Sequence, residues 1–220
     1  QMSNNAGFFS ISDKNLRRFS ELMIQDMSSV DILASWLQDE SRFEKELSNV
    51  YKIWLEYLNP YWSENPWSRA LEGKKVLVVH PFVDSIQKQY KKRAFLHKHP
   101  QTLPDFDLKT IKAVQGIGGV CNEGFKDWFD AFEYMKAEIN KSNYDICILG
   151  CGAYGFPLAA HIKRMGKKAI HMGGATQMLF GIKGKRWEDE YGEFMNEHWI
   201  RPSKEETPIN AMKIENGCYW

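Results

Sequence analysis

Long hydrophobic runs are missing from this sequence. No apolar stretch approaches the ~20 residues that span a bilayer, and no signal peptide is visible. The expectation is a cytoplasmic protein without membrane insertion. Charge of one sign is missing too: 29 Lys and Arg stand against 28 Asp and Glu, a formal net charge of +1. Without a basic field, a nucleic-acid partner is not expected. Cysteine is sparse. Cys121, Cys147, Cys151 and Cys218 form no CxxC pair, so reduced thiols and no zinc site are expected. The GxSxG, HExxH and Walker GxxxxGK patterns are absent as well, and with them the usual signatures of α/β-hydrolases, zincins and P-loop enzymes.

What is present suits a globular domain. Of 220 residues, 43% are hydrophobic and 14% aromatic, with eight Trp. That is enough apolar material for a real core and argues against disorder. The chain begins Gln1-Met2, which predicts either a piece of a longer protein or a tag residue ahead of Met2.

Residues 145–187 organise the rest. An apolar run, Ile146 to Leu149, leads into the turn Gly150-Cys151-Gly152-Ala153-Tyr154-Gly155. Leu158, Ala159, Ile162 and Met165 then recur at helical spacing, Gly166 stops the helix, and Ala169 to Met172 form a second apolar run. This predicts a strand, a tight turn, a helix and a strand. In such a turn the first glycine allows the bend, the second admits close backbone approach, and the third lets the helix pack on the strand. The N–H groups at the new helix start favour an anion such as a phosphate.

Elsewhere, Asn4-Asn5 and Gly7 read as a loop anchored by Phe8-Phe9, the alternative being a loop that contacts a ligand, and Ser12 or Asp13 caps a helix over 13–27. Strands are expected over Val30–Leu33, Ile53–Leu55, Lys75–Val79 and Leu108–Val114. Helices are expected over 39–48, 84–97 and Phe125–Ile139, with a short one from Pro66 to Leu71. Gly116, Gly118 and Gly119 mark a flexible turn. The fold class is α/β: a Rossmann-like, doubly wound, mostly parallel sheet of about six strands with helices on both faces. A single domain spans 1–220, with 188–220 an extended tail pinned back by Trp199, Tyr219 and Trp220.

A dinucleotide cofactor wants an acidic residue about 20 positions after the glycine turn, on the ribose hydroxyls. His171-Met172-Gly173-Gly174 occupies that place, which counts against NAD(P) and against a methyltransferase using S-adenosylmethionine. The candidate binding residues are Gly150, Gly152, Tyr154, Gly155, Gly173, Gly174 and Gln177, followed by Lys183, Lys185 and Trp187. The cations, with Arg186, can neutralise a diphosphate, and Trp187 can stack on a base or sugar. The candidate catalysts are His171 and His80, as bases, and Arg186, as a stabiliser of the leaving group. The alternatives are structural: core histidines bonded to backbone, a solvated basic loop, and a Tyr154 that is either a lid or a surface cap. The metal ligands are unknown; Glu188-Asp189-Glu190 follows the basic loop, not a strand.

Residues 145–187, with NNAGFF near the start, NPWSRALEGKKVLVVHPF in the middle and GCYW at the end, resemble bacterial proteins from surface-polysaccharide gene clusters. That group in turn looks related to GT-D-type glycosyltransferases, mainly through the strand–turn–helix–strand segment. The resemblance implies a nucleotide-sugar donor, a glycan acceptor and a divalent metal, Mn or Mg, held by a DxE motif near an N-terminal strand. No such motif follows a strand here. The expected function is therefore a glycosyltransferase-like protein of capsule or O-antigen synthesis. The alternatives are a non-catalytic nucleotide- or sugar-binding module of the same pathway and the methyltransferase. Exposed aromatics in the tail would permit a homodimer.

Overall fold

The computed structural model describes residues 2–116, 119, 121 and 124–220, with Asn4 by its backbone only. A short helix α1 (Met2–Asn5) precedes α2 (Asp13–Met27). The Ser12 hydroxyl caps α2, accepting from the Asn15 N–H at 3.1 Å. Two short strands follow, β1 (Ile32–Ser35) and β2 (Tyr51–Trp54). Then come β3 (Lys75–His80), α3 (Val83–Tyr90), β4 (Asp107–Lys112), α4 (Trp128–Lys141), β5 (Ile146–Leu149), α5 (Gly155–Arg164) and β6 (Lys168–His171). Two short helices close the series, α6 (Thr176–Leu179) and α7 (Lys185–Tyr191). In the glycine turn expected after β4, Gly118 lies outside the described residues.

The four strands β3 to β6 form one parallel sheet in the order β4-β3-β5-β6. β3 is central because every residue from Val76 to His80 is buried, as a strand covered on both faces must be. Leu77 and Val79 pack with Trp128 and Met135 of α4 and Leu158 of α5. Val76 and Val78 face the other way, onto Ile86 of α3, Leu179 of α6 and Trp187 of α7. From β3 the chain goes to β4 on one side and comes back to β5 on the other. The strand order therefore reverses beside β3, at the carboxyl ends of β3 and β5.

The expectation of about six strands in one doubly wound sheet needs correction. Among the described residues the strands number six, but there β1 and β2 pair only with each other, in parallel, as a separate two-stranded sheet. The reason is visible in their burial: Ile32, Tyr51 and Trp54 are largely exposed, so neither strand has the two apolar faces that an inner position demands. The charged helix expected over 39–48 is instead a 3-10 turn, Gln38–Phe43. There the Glu40 carboxylate accepts from the N–H groups of Trp36 and Leu37, both at 3.0 Å, and from the Ser35 hydroxyl. Side-chain bonds of this kind hold the backbone out of a regular helix. The helix expected over 84–97 ends at Tyr90, and a short 3-10 turn, Arg93–Phe95, follows.

One carboxylate of the tail caps a helix beside the sheet. Phe82, at the N-cap of α3, has no side chain able to cap it. Glu206 does so from afar. Its buried carboxylate accepts from the Asp84 N–H at 2.8 Å, the Ser85 N–H at 3.2 Å and the Ser85 hydroxyl. An anion is favoured at a helix N-terminus. The Trp220 indole N–H then donates to the Glu206 carbonyl at 3.0 Å. Glu206→Ala is expected to cost about 2 kcal/mol, because it strands buried donors. Urea denaturation measures this, and a loss under about 0.5 kcal/mol would show that the α3 donors do not depend on Glu206.

Candidate functional site

A cleft of about 650 Å³, counted out to its open mouth, lies at the carboxyl edge of the four-stranded sheet. That edge, where strand order reverses, is where open α/β sheets leave room for a ligand. His80, Pro81 and Phe82 enter from the end of β3, and Ala113 to Gly116 from the end of β4. Gly150, Cys151, Gly152 and Tyr154 form the turn after β5, and Gly174 and Gln177 come from the segment after β6.

Both ends of the described chain complete the wall. Asn5, Ala6 and Gly7 line it on one side, and Ile214, Tyr219 and Trp220 on the other. The two meet where the Asn5 side-chain amide donates to Glu215 at 3.2 Å. The Ala6 carbonyl accepts from the Ala153 N–H at 2.9 Å, so the N-terminal segment takes up one of the backbone donors that the glycine turn offers an anion. Gly152 has φ +56°, and a side chain there would lie 2.8 Å from the Ala6 carbonyl. The close approach expected of this second glycine is thus made, and the partner is the chain itself.

The predicted residues divide into two groups. Gly150, Gly152, Tyr154, Gly174, Gln177 and His80 all face the cleft. Tyr154 is neither lid nor surface cap: it is 1% exposed, stacked on Trp128 at 4.7 Å and 4°. Gln177 donates to the Tyr219 carbonyl at 3.2 Å and the Ile182 carbonyl at 3.4 Å, while its own carbonyl oxygen is buried without a partner among the described residues. His80 is buried and neutral. Loss of water pushes its pKa down to about 3.

The other residues lie elsewhere. The ring of His171 sits against Gly155, where a side chain would collide with it; the same loss of water lowers its pKa to about 4. This is the helix-on-strand contact for which the third glycine makes room. Gly173 has φ +59° and turns the chain after β6. Trp187 is buried in the second core, its ring beside Gly174 and Gly184. Lys183 and Lys185 do not reach the cleft wall, and Lys185 is exposed. Arg186 forms an ion pair with Glu215 and lies 5.2 Å above the Tyr219 ring. Its role in the structure is to hold the tail.

Sequence reasoning kept a ligand-contacting N-terminal loop only as the alternative, and missed the contribution of the C-terminal end. NNAGFF looked like a loop anchored by its two Phe; both Phe are buried, and the residues just before them form the wall. Asn4 and Asn5, expected in the loop, instead end the short helix α1. Among the described residues, no Asp, Glu, Lys or Arg lines the cleft. Nor does any group of three or more His, Cys, Asp or Glu side chains among them stand ready to hold a metal ion. Also among the described residues, no helix is long and apolar enough to cross a membrane. Comparison of the chain with family models, curated proteins and solved structures gave no match.

Proposed function

We propose that this chain binds a nucleotide sugar, as a glycosyltransferase-like protein of bacterial surface-polysaccharide synthesis built on a Rossmann-like scaffold. One observation carries the reading. The segments that resemble the polysaccharide-cluster proteins are scattered along the sequence, yet NNAGFF, VVHPF, the Gly150–Gly155 turn and GCYW all contribute to one cleft wall. Its enclosed part, about 110 Å³, is smaller than the roughly 300–1,000 Å³ of whole small-molecule sites, so it can take one end of such a ligand and leaves the rest at the open mouth. The half-buried rings of Tyr219 and Trp220 supply aromatic surface on which a base or sugar can rest.

A second reading, binding without transfer, is favoured by the chemistry of the wall. No carboxylate or cation lines it among the described residues, and the one arginine expected to assist a leaving group is engaged by Glu215. The divalent metal that the resemblance implies finds no ready ligand set among those residues, so no step is routed through it.

A thermal-shift screen of UDP- and GDP-sugars, with and without manganese, tests the reading. A ligand at a hundredfold excess over its dissociation constant is expected to stabilise the fold by about 2.7 kcal/mol. Absence of stabilisation by every nucleotide and nucleotide sugar would overturn it. Release of free nucleotide on incubation with a stabilising donor separates transfer or hydrolysis from binding alone.

A further inference from the structure

We propose that His80 is the recognition residue of the cleft, and that it donates a hydrogen bond from Nε2 to an uncharged oxygen of the ligand, a sugar hydroxyl or a base carbonyl. The identity of the ligand rests on the nucleotide-sugar reading; the role of the residue rests on the geometry of the ring.

The Phe82 N–H donates to His80 Nδ1 at 3.0 Å. A backbone N–H can only donate, so Nδ1 presents its lone pair and the proton of the neutral ring sits on Nε2. That nitrogen has no partner among the described residues, and the residue lies on the cleft wall. The ring is held from two other sides. It meets the Phe82 ring edge to face at 5.0 Å, and its Cδ2 edge lies where a side chain on Gly150 would have to go. It therefore cannot turn to exchange its two nitrogens without breaking the Phe82 bond.

A donor fixed in this way cannot also take up a proton at the cleft. The base role that the sequence suggests for His80 requires the opposite tautomer. Cys151, Tyr154 and Tyr219 are the other titratable side chains on the described wall, and none of the described lining side chains is an Asp, Glu, Lys or Arg. A carboxylate or phosphate drawn into this space would be desolvated without a counter-charge. A hydroxyl or carbonyl oxygen meets the donor at no such cost. The wall thus selects the neutral end of a nucleotide sugar.

Two measurements test the proposal. In the full chain with ¹⁵N-labelled histidine, two-bond ¹H–¹⁵N correlation spectra at neutral pH are expected to show His80 neutral and protonated at Nε2. An Nδ1-protonated ring, or an imidazolium, overturns the assignment without reference to any ligand. UDP-glucose is then titrated into His80→Gln, whose amide can replace the Nε2 donor, and His80→Asn, which can only satisfy the Phe82 N–H. Affinity is expected to fall about tenfold in the Asn variant and no more than about threefold in the Gln variant. Equal losses in both, or none in the Asn variant, contradict a donor role. If UDP-glucose does not bind the unaltered chain, the donor that most stabilises the chain in the thermal-shift screen replaces it in the titration. If no donor binds, the nucleotide-sugar reading fails. Uridine and methyl glucoside at millimolar concentration then decide for His80: a shifted Nε2 resonance with either supports the donor role, and no shift with both overturns it.

Discussion

Replacing Gly150 with alanine is expected to lower stability by about 3 kcal/mol, near the upper end for an overpacked interior. In a chain of this size the melting temperature should fall by about 10 °C. The new Cβ would lie 2.5 Å from Cδ2 of His80, 2.6 Å from the Thr176 hydroxyl oxygen and 2.7 Å from Thr176 Cβ. His80 is 2% exposed and Thr176 is fully buried, so neither can swing into solvent. Relief requires β3 and α6 to move apart at the carboxyl edge, which is the rim of the cleft. Ligand binding should therefore fail together with stability. Differential scanning calorimetry settles the matter: a melting temperature within about 2 °C of the unaltered chain would mean that Gly150 is not wedged between the two side chains.

Trp128→Ala is expected to be more costly still, about 4 kcal/mol, within the range for removing a buried tryptophan. Trp128 is fully buried and forms the centre of an aromatic cluster. It stacks on Tyr154 at 4.7 Å and on Phe132 at 5.2 Å, and meets Phe8, Phe19 and Phe129 at 5.0 to 5.4 Å. Five rings would face the void together. Two of them touch the function: Tyr154 lies on the cleft wall, and Phe8 anchors the segment that carries Asn5 to Gly7. Trp128→Phe should recover more than half of the loss. It keeps a ring in place and removes an indole N–H that has no partner among the described residues. Equilibrium unfolding in urea measures both variants, and a Phe variant as unstable as the Ala variant would exclude stacking as the source of the effect.

The parts of the fold that the sequence made legible are those whose cause is local. β3 and β5 are short apolar runs rich in Val and Ile and flanked by glycine or proline, and those local features decide for a buried strand over a buried helix. The turn after β5 was legible because the glycines at 150, 152 and 155 each answer to a steric need at their own position. The separate pairing of β1 with β2 was not legible, since Ile32 and Tyr51 carry strand propensity whether or not they are buried. The cleft wall was hardest. Asn5 and Glu215 are joined across 210 residues of sequence, and no periodicity reports a contact of that range. The Lys183–Trp187 stretch misled for a related reason. A cation beside an indole suits a diphosphate and a base, but Gly174 and Gly184 leave room for the Trp187 ring in the core, and Arg186 is claimed by the tail. Composition shows which chemistry a segment could do; only packing shows what already occupies it.

The central claim is that a nucleotide sugar enters the cleft at the carboxyl ends of β3 and β5 with its neutral end inward. Amide chemical-shift mapping during a titration with the nucleotide sugar that most stabilises the chain, or with UDP- and GDP-glucose in turn where none does, tests it most directly. The account predicts saturable shifts concentrated at Asn5–Gly7, His80–Phe82, Gly150–Tyr154 and Tyr219–Trp220, with Lys183 and Lys185 little affected. Shifts centred on Lys183 to Arg186 with the cleft residues unmoved, or no saturable shifts at all, would contradict it.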